Sequence, residues 1–398
     1  MKKKQFWLLV SVTCLFLLMY EPYAFSWIIP FPDLSISAVV YLLFLFFLLN
    51  SLRVNIKYTL PGSLTFSLFF TCFVWLFFAA IHGDSSYLTR VFLLIITYLL
   101  LLILYRSGDF QRFWIVNNKF ILIQTVLSSS CFILVGVGLL KPLMVISAFD
   151  GSGRDFYFWG LCFSKTYIGN LIRPSGFLDE PGALASWAIY GLMFNYAFVK
   201  DKTINKYLPV FTASTLSVAY FIQLAIYLVF KNLKKAYKLI PVAALLLIAI
   251  GYINKTKDTD FDLYAKTIAR FEYNEDTGLA GNSRQASLEN AQKIFIANPI
   301  VGVGGKNFAK SQDGVSDNPY EILAKDGIIG FLISYLPLFL VFLVNRRREV
   351  IIAIIVIAAG YLQRPLHINF MHDLYLWSFL LFAIMDSKVR TFANKKLD

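Results

Sequence analysis

Long apolar runs alternate with short polar stretches along almost the whole chain. They fall at 6–20, 34–50, 63–81, 87–105, 120–140, 182–199, 208–230, 239–253, 326–344, 350–362 and 371–386. A helix rises about 1.5 Å per residue, so about 20 apolar residues cross the hydrocarbon core of a bilayer, and several runs reach that length. The pattern predicts an all-α polytopic integral membrane protein with about 11–12 transmembrane helices forming a single membrane domain over 1–398. The first run, Phe6 to Met19 behind Lys2-Lys3-Lys4, has the outline of a signal peptide. Tyr20-Glu21-Pro22-Tyr23 follows in place of a small-residue cleavage site, so the run is read as an uncleaved span.

Basic residues orient the spans. Cytoplasmic loops carry an excess of Lys and Arg, so Lys2 to Lys4, the Arg53/Lys57 loop, and Arg106, Arg112 and Lys119 are placed inside. The 21–33 loop and the 82–86 turn then lie outside, and the fifth run leads to a long outer segment at 141–180. Lys200, Lys202 and Lys206 return the chain to the cytoplasm, yet Lys231, Lys234, Lys235 and Lys238 also belong inside with a single run between the two clusters. The tail (Lys388, Arg390, Lys395, Lys396) and Arg346-Arg347-Arg348 are cytoplasmic by the same rule, which makes 254–325 one large extracytoplasmic loop. The run 208–230 is therefore expected to enter and leave on one side, as two short tilted helices or a re-entrant hairpin turning near Thr215-Leu216-Ser217, the alternative being a misplaced span. Non-helical backbone at that depth requires protein or a water-filled cavity around it.

Charged residues make up 15% of the chain and hydrophobic ones 58%, against about 25% charged in soluble domains. The net charge of +13 sits in short loops between spans, where it sets orientation and meets anionic headgroups. It is not a nucleic-acid signal. Cys14, Cys72, Cys131 and Cys162 form no C-x-x-C pair, and His82, His367 and His372 form no H-E-x-x-H pattern, so neither a disulfide framework nor a metal site follows. There is no G-x-S-x-G elbow, and Gly302 to Lys306 lacks P-loop spacing. In the late loop, Ser287 to Ile296 has helical apolar spacing, Asn298-Pro299 breaks it, and Gly302-Val303-Gly304-Gly305 reads as a flexible turn needing positive φ.

What remains is a group of arginines on the outer side: Arg173, Arg270, Arg284 and Arg364. Positive-inside disfavours them there, so each asks for a partner: a nearby carboxylate (Asp179, Glu180, Glu272), a lipid phosphate, or a pyrophosphate, which a planar guanidinium grips with two hydrogen bonds. Asp179 and Glu180 precede Pro181 at a helix start; the dipole and cap account for Asp179, whereas Glu180 is suited to orient an arginine. Asp317 stands in a turn before Pro319, either as a turn former or as a group that orients or deprotonates a sugar hydroxyl.

Three blocks carry a resemblance. R-P-S-G-F-L-D-E-P-G from Arg173 resembles the R-x-x-G-x-x-x-E-P signature of the O-antigen polymerase and O-antigen ligase superfamily. N-S-R-Q-A-S-L-E-N-A-Q-K-I-F-I-A-N-P-I-V-G-V-G-G-K-N-F is similar to that family's arginine, short helix and "NP-x-x-G-x-G-x-x-x-F" pattern. D-N-P-Y-E-I-L-A-K-D-G-I-I-G resembles its "H/D-N-x-Y-x-x-x-L-x-x-x-G-x-x-G" segment. The blocks occur in the family's order and cover the second half of the chain; the first half matches in general hydropathy alone.

The resemblance implies a metal-independent, cofactor-free membrane glycosyltransferase of the GT-C type. It would act on undecaprenyl-pyrophosphate-linked oligosaccharide in the bacterial cytoplasmic membrane, both termini cytoplasmic, with room for a polysaccharide chain-length regulator as partner. Arg173 and Arg284 would contact the donor pyrophosphate and Asp317 would assist the acceptor, making these the catalytic candidates. Glu180, Arg270, Asn318, Tyr320, Arg364 and His367 are the substrate-binding candidates. Ligases of the family carry His at the position of Asp317, which favours a repeat-unit polymerase over a ligase. The family's "S-R-G" turn appears as Leu216-Ser217-Val218-Ala219, without its arginine. The rival from another class is a lipid-linked oligosaccharide flippase. Transporters tend to show internal repeats and midplane charges, whereas here the charges read as collecting at one face and in one loop.

Overall fold

The computed structural model describes residues 60–146, 155–165, 167–168, 171–178, 180–233, 273–274, 278–279, 285–311, 318–363 and 370–394. The runs at 6–20, 34–50 and 239–253 lie outside them. The protein is a helical membrane protein: among the described residues, five helical segments are long and apolar enough to cross a bilayer. These are Gly62–His82, Ser86–Arg106, Phe110–Gly136, Pro181–Val199 and Glu321–Val344.

The described residues fall into two compact units. The first draws on Met1–Lys119, Met193–Asp201 and Ser287–Asp398, the second on Phe120–Leu192 and Lys202–Ala286. In the first unit α1 (Gly62–His82) and α2 (Ser86–Ser107) form an antiparallel pair across a tight turn, and α3 (Phe110–Gly136) begins here. Its start corrects the expected loop. Arg112 and Lys119 lie on α3, and the connection shrinks to Gly108-Asp109, because Phe110, Phe113 and Trp114 are buried and hold this stretch helical. Phe110 stacks on Phe382 with ring centroids 4.4 Å apart, and Trp114 meets Tyr375 at 4.5 Å. Aromatic pairs of this kind add about 0.5–1.5 kcal/mol beyond their buried area.

The helix α4 (Pro181–Phe194) starts at its proline, whose missing N–H is one of a helix's orphan donors in any case. It ends in a π turn, Asn195–Val199. After α5 (Lys202–Thr212) and α6 (Val218–Lys231) of the second unit come α7 (Gln285–Ala297), α8 (Gly305–Lys310), α9 (Glu321–Ser334), α10 (Leu336–Val344), α11 (Arg348–Gln363) and α12 (Phe370–Asn394). In the first unit α12 packs against α2 and α10, and α9 against α1. On α1, Phe66, Phe69, Phe70, Phe73 and Phe77 remain exposed, an apolar face suited to lipid tails rather than water.

The second unit contains an element that hydropathy did not suggest. Met144–Ile146, Phe156–Phe158 and Phe163–Ser164 form a three-stranded antiparallel sheet (β1–β3), followed by the hairpin Tyr167–Ile168 with Leu171–Ile172 (β4–β5). Cys131, Val135, Trp159, Cys162 and Ile172 form the core that seats these strands on the end of α3. The run 208–230 is broken. Helix α5 (Lys202–Thr212) gives way to a 3-10 turn, Ala213–Thr215, and α6 (Val218–Lys231) follows. Leu216 takes a left-handed conformation at φ 50° to turn the chain. Tyr220 donates to the carbonyl of Pro209 at 2.6 Å across the turn, and Ser129 on α3 donates to the carbonyl of Phe211 at 2.7 Å. A short hairpin, Tyr273–Asn274 with Gly278–Leu279 (β6–β7), completes the described strands.

Candidate functional site

The first block is anchored within the second unit. Ser175 donates from its N–H and its Oγ to the carbonyl of Phe163, and Phe163 returns a bond to the carbonyl of Gly176 at 2.6 Å. Gly176 has φ +65°, and a Cβ there would lie 2.9 Å from Gln124 Oε1 on α3. The positive φ favours glycine here, and the Gln124 side chain occupies the space a Cβ would take. With its backbone fixed, half-buried Arg173 donates from Nε to the carbonyl of Thr215 at 3.2 Å. Thr215 closes the break between α5 and α6, so the guanidinium is tied to non-helical backbone. Glu180, half-buried, precedes Pro181, and its carbonyl accepts from the N–H of Ala183.

In the first unit the second and third blocks fold onto one another. The sequence K-D-G-I-I-G kinks α9 at Gly327, where φ 65° and ψ −170° are open to glycine alone. Such a kink strips helical partners from the carbonyls before it and the amides after it. The loop N-P-I-V-G-V-G-G supplies replacements on both sides. Val303 and Gly304 donate to the carbonyls of Ala324 and Lys325 at 3.1 and 2.8 Å; Ile328 and Ile329 donate to those of Pro299 and Ile300 at 2.9 and 3.2 Å. The approach is so close that a Cβ on Gly302 would lie 2.4 Å from Lys325 backbone, and one on Gly327 would lie 2.3 Å from the carbonyl oxygen of Ile300. The glycine turn read as flexible is thus clamped, while its expected positive φ is present at Gly302 and Gly304.

Two residues of the α1–α2 turn hold this loop from the other side. His82 Nε2 lies 3.1 Å from the carbonyl of Val301. The Asp84 carboxylate accepts from the N–H of Ser86 at 2.9 Å and of Lys306 at 2.8 Å. Burial acts to raise the Asp84 pKa, but those amides and the Lys325 ammonium together carry it below the usual carboxylate value.

Beneath the clamp lies a charged cluster that the sequence reading did not single out. Asp326, 1% exposed, accepts from the Tyr87 hydroxyl at 2.5 Å and lies 3.8 Å from Arg90 Nη1. Arg90 donates from Nη2 to Ser334 Oγ at 2.9 Å, and its guanidinium carbon sits 3.6 Å from the centre of the Trp75 ring. Asp373 is also buried, and Tyr361 and His372 are hydrogen-bond partners nearby on α11 and α12. Desolvating an arginine or a carboxylate costs several kcal/mol per ion, which the opposite charge, the two hydroxyls and the aromatic face offset. The available signal was an arginine four residues inside an apolar run, since ionisable residues within spans are rare and generally paired.

The sequence candidates divide accordingly. Arg173 and Glu180 belong to the second unit, Asn318 and Tyr320 to the first. Asn318 is buried; its Nδ2 donates to Ser287 Oγ at 3.2 Å and its Oδ1 accepts from the N–H of Tyr320 at 3.0 Å, joining the start of α7 to that of α9. The Tyr320 ring meets Phe295, beside the core of Ala291, Phe308 and Ala324. Arg270, Arg284, Asp317, Arg364 and His367 lie outside the described residues, as does Asp179. Among the described residues no cluster of three His, Cys, Asp or Glu has the arrangement of a metal site. Neither the models of known protein families nor the sequences of characterised proteins match this chain.

Proposed function

We propose that this protein is a membrane glycosyltransferase that joins undecaprenyl-pyrophosphate-linked oligosaccharide repeat units at the outer face of the cytoplasmic membrane, in the manner of O-antigen polymerases. The observation that carries the reading is the fixing of Arg173, the arginine of the first block, on the carbonyl of Thr215 at the break between α5 and α6. A guanidinium held by protein backbone before substrate arrives pays little reorganisation when negative charge develops beside it. The helices α5 and α6, of 11 and 14 residues, rise roughly 17 and 21 Å, each short of a 30 Å hydrocarbon core. Their turn is therefore suited to a site at membrane depth, entered from the cytoplasmic side and met by the outer segment 141–180.

In this reading 254–325 is extracytoplasmic, the architecture is of the GT-C type, and Arg284 joins Arg173 on the donor. The acceptor sugar hydroxyl attacks the anomeric carbon, the bond from that carbon to the lipid pyrophosphate breaks, and the arginines stabilise the charge gathering on the leaving group. Asp317 takes up the hydroxyl proton. The donor bond is already activated, so the protein's task is alignment and electrostatics.

The test is deletion in the native host followed by gel analysis of surface polysaccharide. Loss of long chains with one repeat retained supports the reading; total loss with accumulated lipid-linked polymer makes the protein a ligase. Arg173→Ala and Arg284→Ala should each fail to restore long chains while remaining in the membrane. Full-length polymer from both variants would end the pyrophosphate proposal.

A further inference from the structure

The loop of the second block touches the first half of the chain at residues 82–84, and the kink it clasps is held from residues 87–90. Asp326 is the last residue before the Gly327 kink, and its carboxylate is gripped by Tyr87 and faced by Arg90. The carbonyl of its neighbour Lys325 receives the N–H of Gly304, and that of Ala324 receives Val303. A shift of Asp326 therefore moves two acceptors of the clamped loop directly. Gly330 leaves it little slack, since a Cβ there would lie 2.1 Å from Asp326 Cβ and 3.5 Å from Trp75.

We propose that Arg90 and Tyr87 are positioning residues: by holding Asp326 they set the kink of α9, and the kink sets how the N-P-I-V-G-V-G-G loop is presented. This rests on the reading that the second and third blocks bind the lipid-linked glycan. Arg90 acts through Asp326, whereas Tyr87 acts through Asp326 and also meets the loop directly, its hydroxyl bonded to the backbone of Gly305. Arg90 supplies charge balance and a rigid seat between Trp75 and Ser334, whereas Tyr87 supplies the short bond that orients the carboxylate. An anchor of this kind lies in the membrane helices, so the shape of the outer loop is set by helices that carry none of the motif blocks.

The experiment uses the full chain reconstituted in nanodiscs, with Tyr87→Phe, Asp326→Asn, Arg90→Lys and, as a control on an exposed helix position, Arg112→Ala. Three readouts are taken: backbone hydrogen exchange at Val303 and Gly304 against α10, thermal unfolding followed by a dye reacting with the buried cysteines, and turnover with purified lipid-linked repeat units. Tyr87→Phe removes the hydroxyl's bonds to Asp326 and to the Gly305 backbone, so exchange at Val303 and Gly304 should rise roughly tenfold while α10 is unchanged; Asp326→Asn, which keeps the Gly305 bond, isolates the route through the kink. In the same variant kcat should fall about tenfold with KM within about twofold, because a misplaced loop still binds but aligns poorly. Asp326→Asn should do more, Arg90→Lys should fall between the two and wild type, and Arg112→Ala should match wild type. Unchanged exchange at Val303 and Gly304 overturns the proposal, as does faster exchange with unaltered kcat. A uniform rise that includes α10, with a matching fall in unfolding temperature, also overturns it, since the residues would then hold the whole unit. If wild type makes no polymer, the glycosyltransferase reading fails, and the exchange measurement alone decides the coupling between Tyr87, Arg90 and the loop.

Discussion

Two of the arginine–aspartate pairs among the first unit's described residues differ in almost every physical respect. Arg90 and Asp326 are sealed among α1, α2 and α9 at 3.8 Å, roofed by Trp75 and supplemented by Tyr87 and Ser334. Arg347 and Asp386 lie 3.0 Å apart with side chains 11% and 28% exposed; Arg347 also donates to the carbonyl of Ala197 at 2.7 Å, and Asn345 donates to Asp386 at 2.9 Å. The second pair fastens the π turn after α4 to the α10–α11 connection and to α12. It works as a staple, because water still reaches its edge and its desolvation cost is small. The first pair gains little net stability from its attraction, since burial consumes much of it. What it supplies is a unique geometry at the Gly327 kink. A buried ion pair marks a place where position matters, and a half-exposed one marks where ends are tied.

Removing one partner from each pair should separate their roles. Asp326→Ala leaves Arg90 charged and buried, and should destabilise by about 3–5 kcal/mol. Arg347→Ala should cost roughly 1–2 kcal/mol, since its carboxylate partner can turn to solvent. Unfolding curves from a thiol-reactive dye, reporting Cys72, Cys131 and Cys162 as they become exposed, measure both. Replacing the buried pair by Met and Leu together should recover more than half of the loss. Equal losses for the two single variants would show that burial does not distinguish the pairs.

A smaller effect tests the clamp that the buried pair serves. Gly327→Ala forces a side chain into positive φ and against the carbonyl of Ile300, costing roughly 2–4 kcal/mol from strain and overpacking together. Gly83→Ala meets milder strain, at φ 58° and ψ 32° in the left-handed helical region, and has open space around it, so it should cost about 1 kcal/mol. The difference between the two, read from the same unfolding curves, measures the close approach of the loop together with the glycine-only backbone at the kink. If they coincide, the loop is not clamped.

The smallest expected effect is a pH dependence from Asp84. Its carboxyl is held below its ordinary value by the amides of Ser86 and Lys306 and by Lys325, against the opposing effect of burial. A carboxyl lowered in the folded state contributes stability above its unfolded pKa of about 3.9, and that contribution is lost as pH falls through the folded value. The unfolding temperature should therefore drop as the buffer is taken below about pH 4. Asp84→Asn should be less stable at neutral pH and should lose this part of the acid slope. An unchanged slope would remove Asp84 from the electrostatics of the loop junction.

Much of the helical framework could be read from hydropathy because apolar runs of span length have few alternatives. The cores of α1, α2, α4, α11 and α12 lie where runs had been drawn, and the Asn298-Pro299 break ends α7 at Ala297. The start of α3 was misread because Arg112 and Lys119 looked like loop charges, whereas Phe110, Phe113 and Trp114 pull the segment into the core. The sheet of Met144 to Ser164 was illegible for a different reason: its strands are two or three residues long and held by pairing partners 5 to 14 residues apart. Of the candidate site, the glycines of the late blocks were legible as backbone signals, but their purpose was not. Their pattern shows a need for positive φ; it does not show that the loop supplies the hydrogen bonds that the Gly327 kink removes.

Hydropathy makes this a helical membrane protein, because continuous apolar runs of span length satisfy their backbone in a bilayer as helices, whereas barrel strands are shorter and alternate. The amino-acid sequence by itself also determined where glycine and proline interrupt helices, because those limits are local and steric. The tertiary structure alone decided that Asp326 belongs with Tyr87 and Arg90, and that Arg173 belongs with the carbonyl of Thr215. Those partners are separated by 239, 236 and 42 positions. Polar groups so far apart carry no periodic signal, and only the packing of helices in space selects which of them meet.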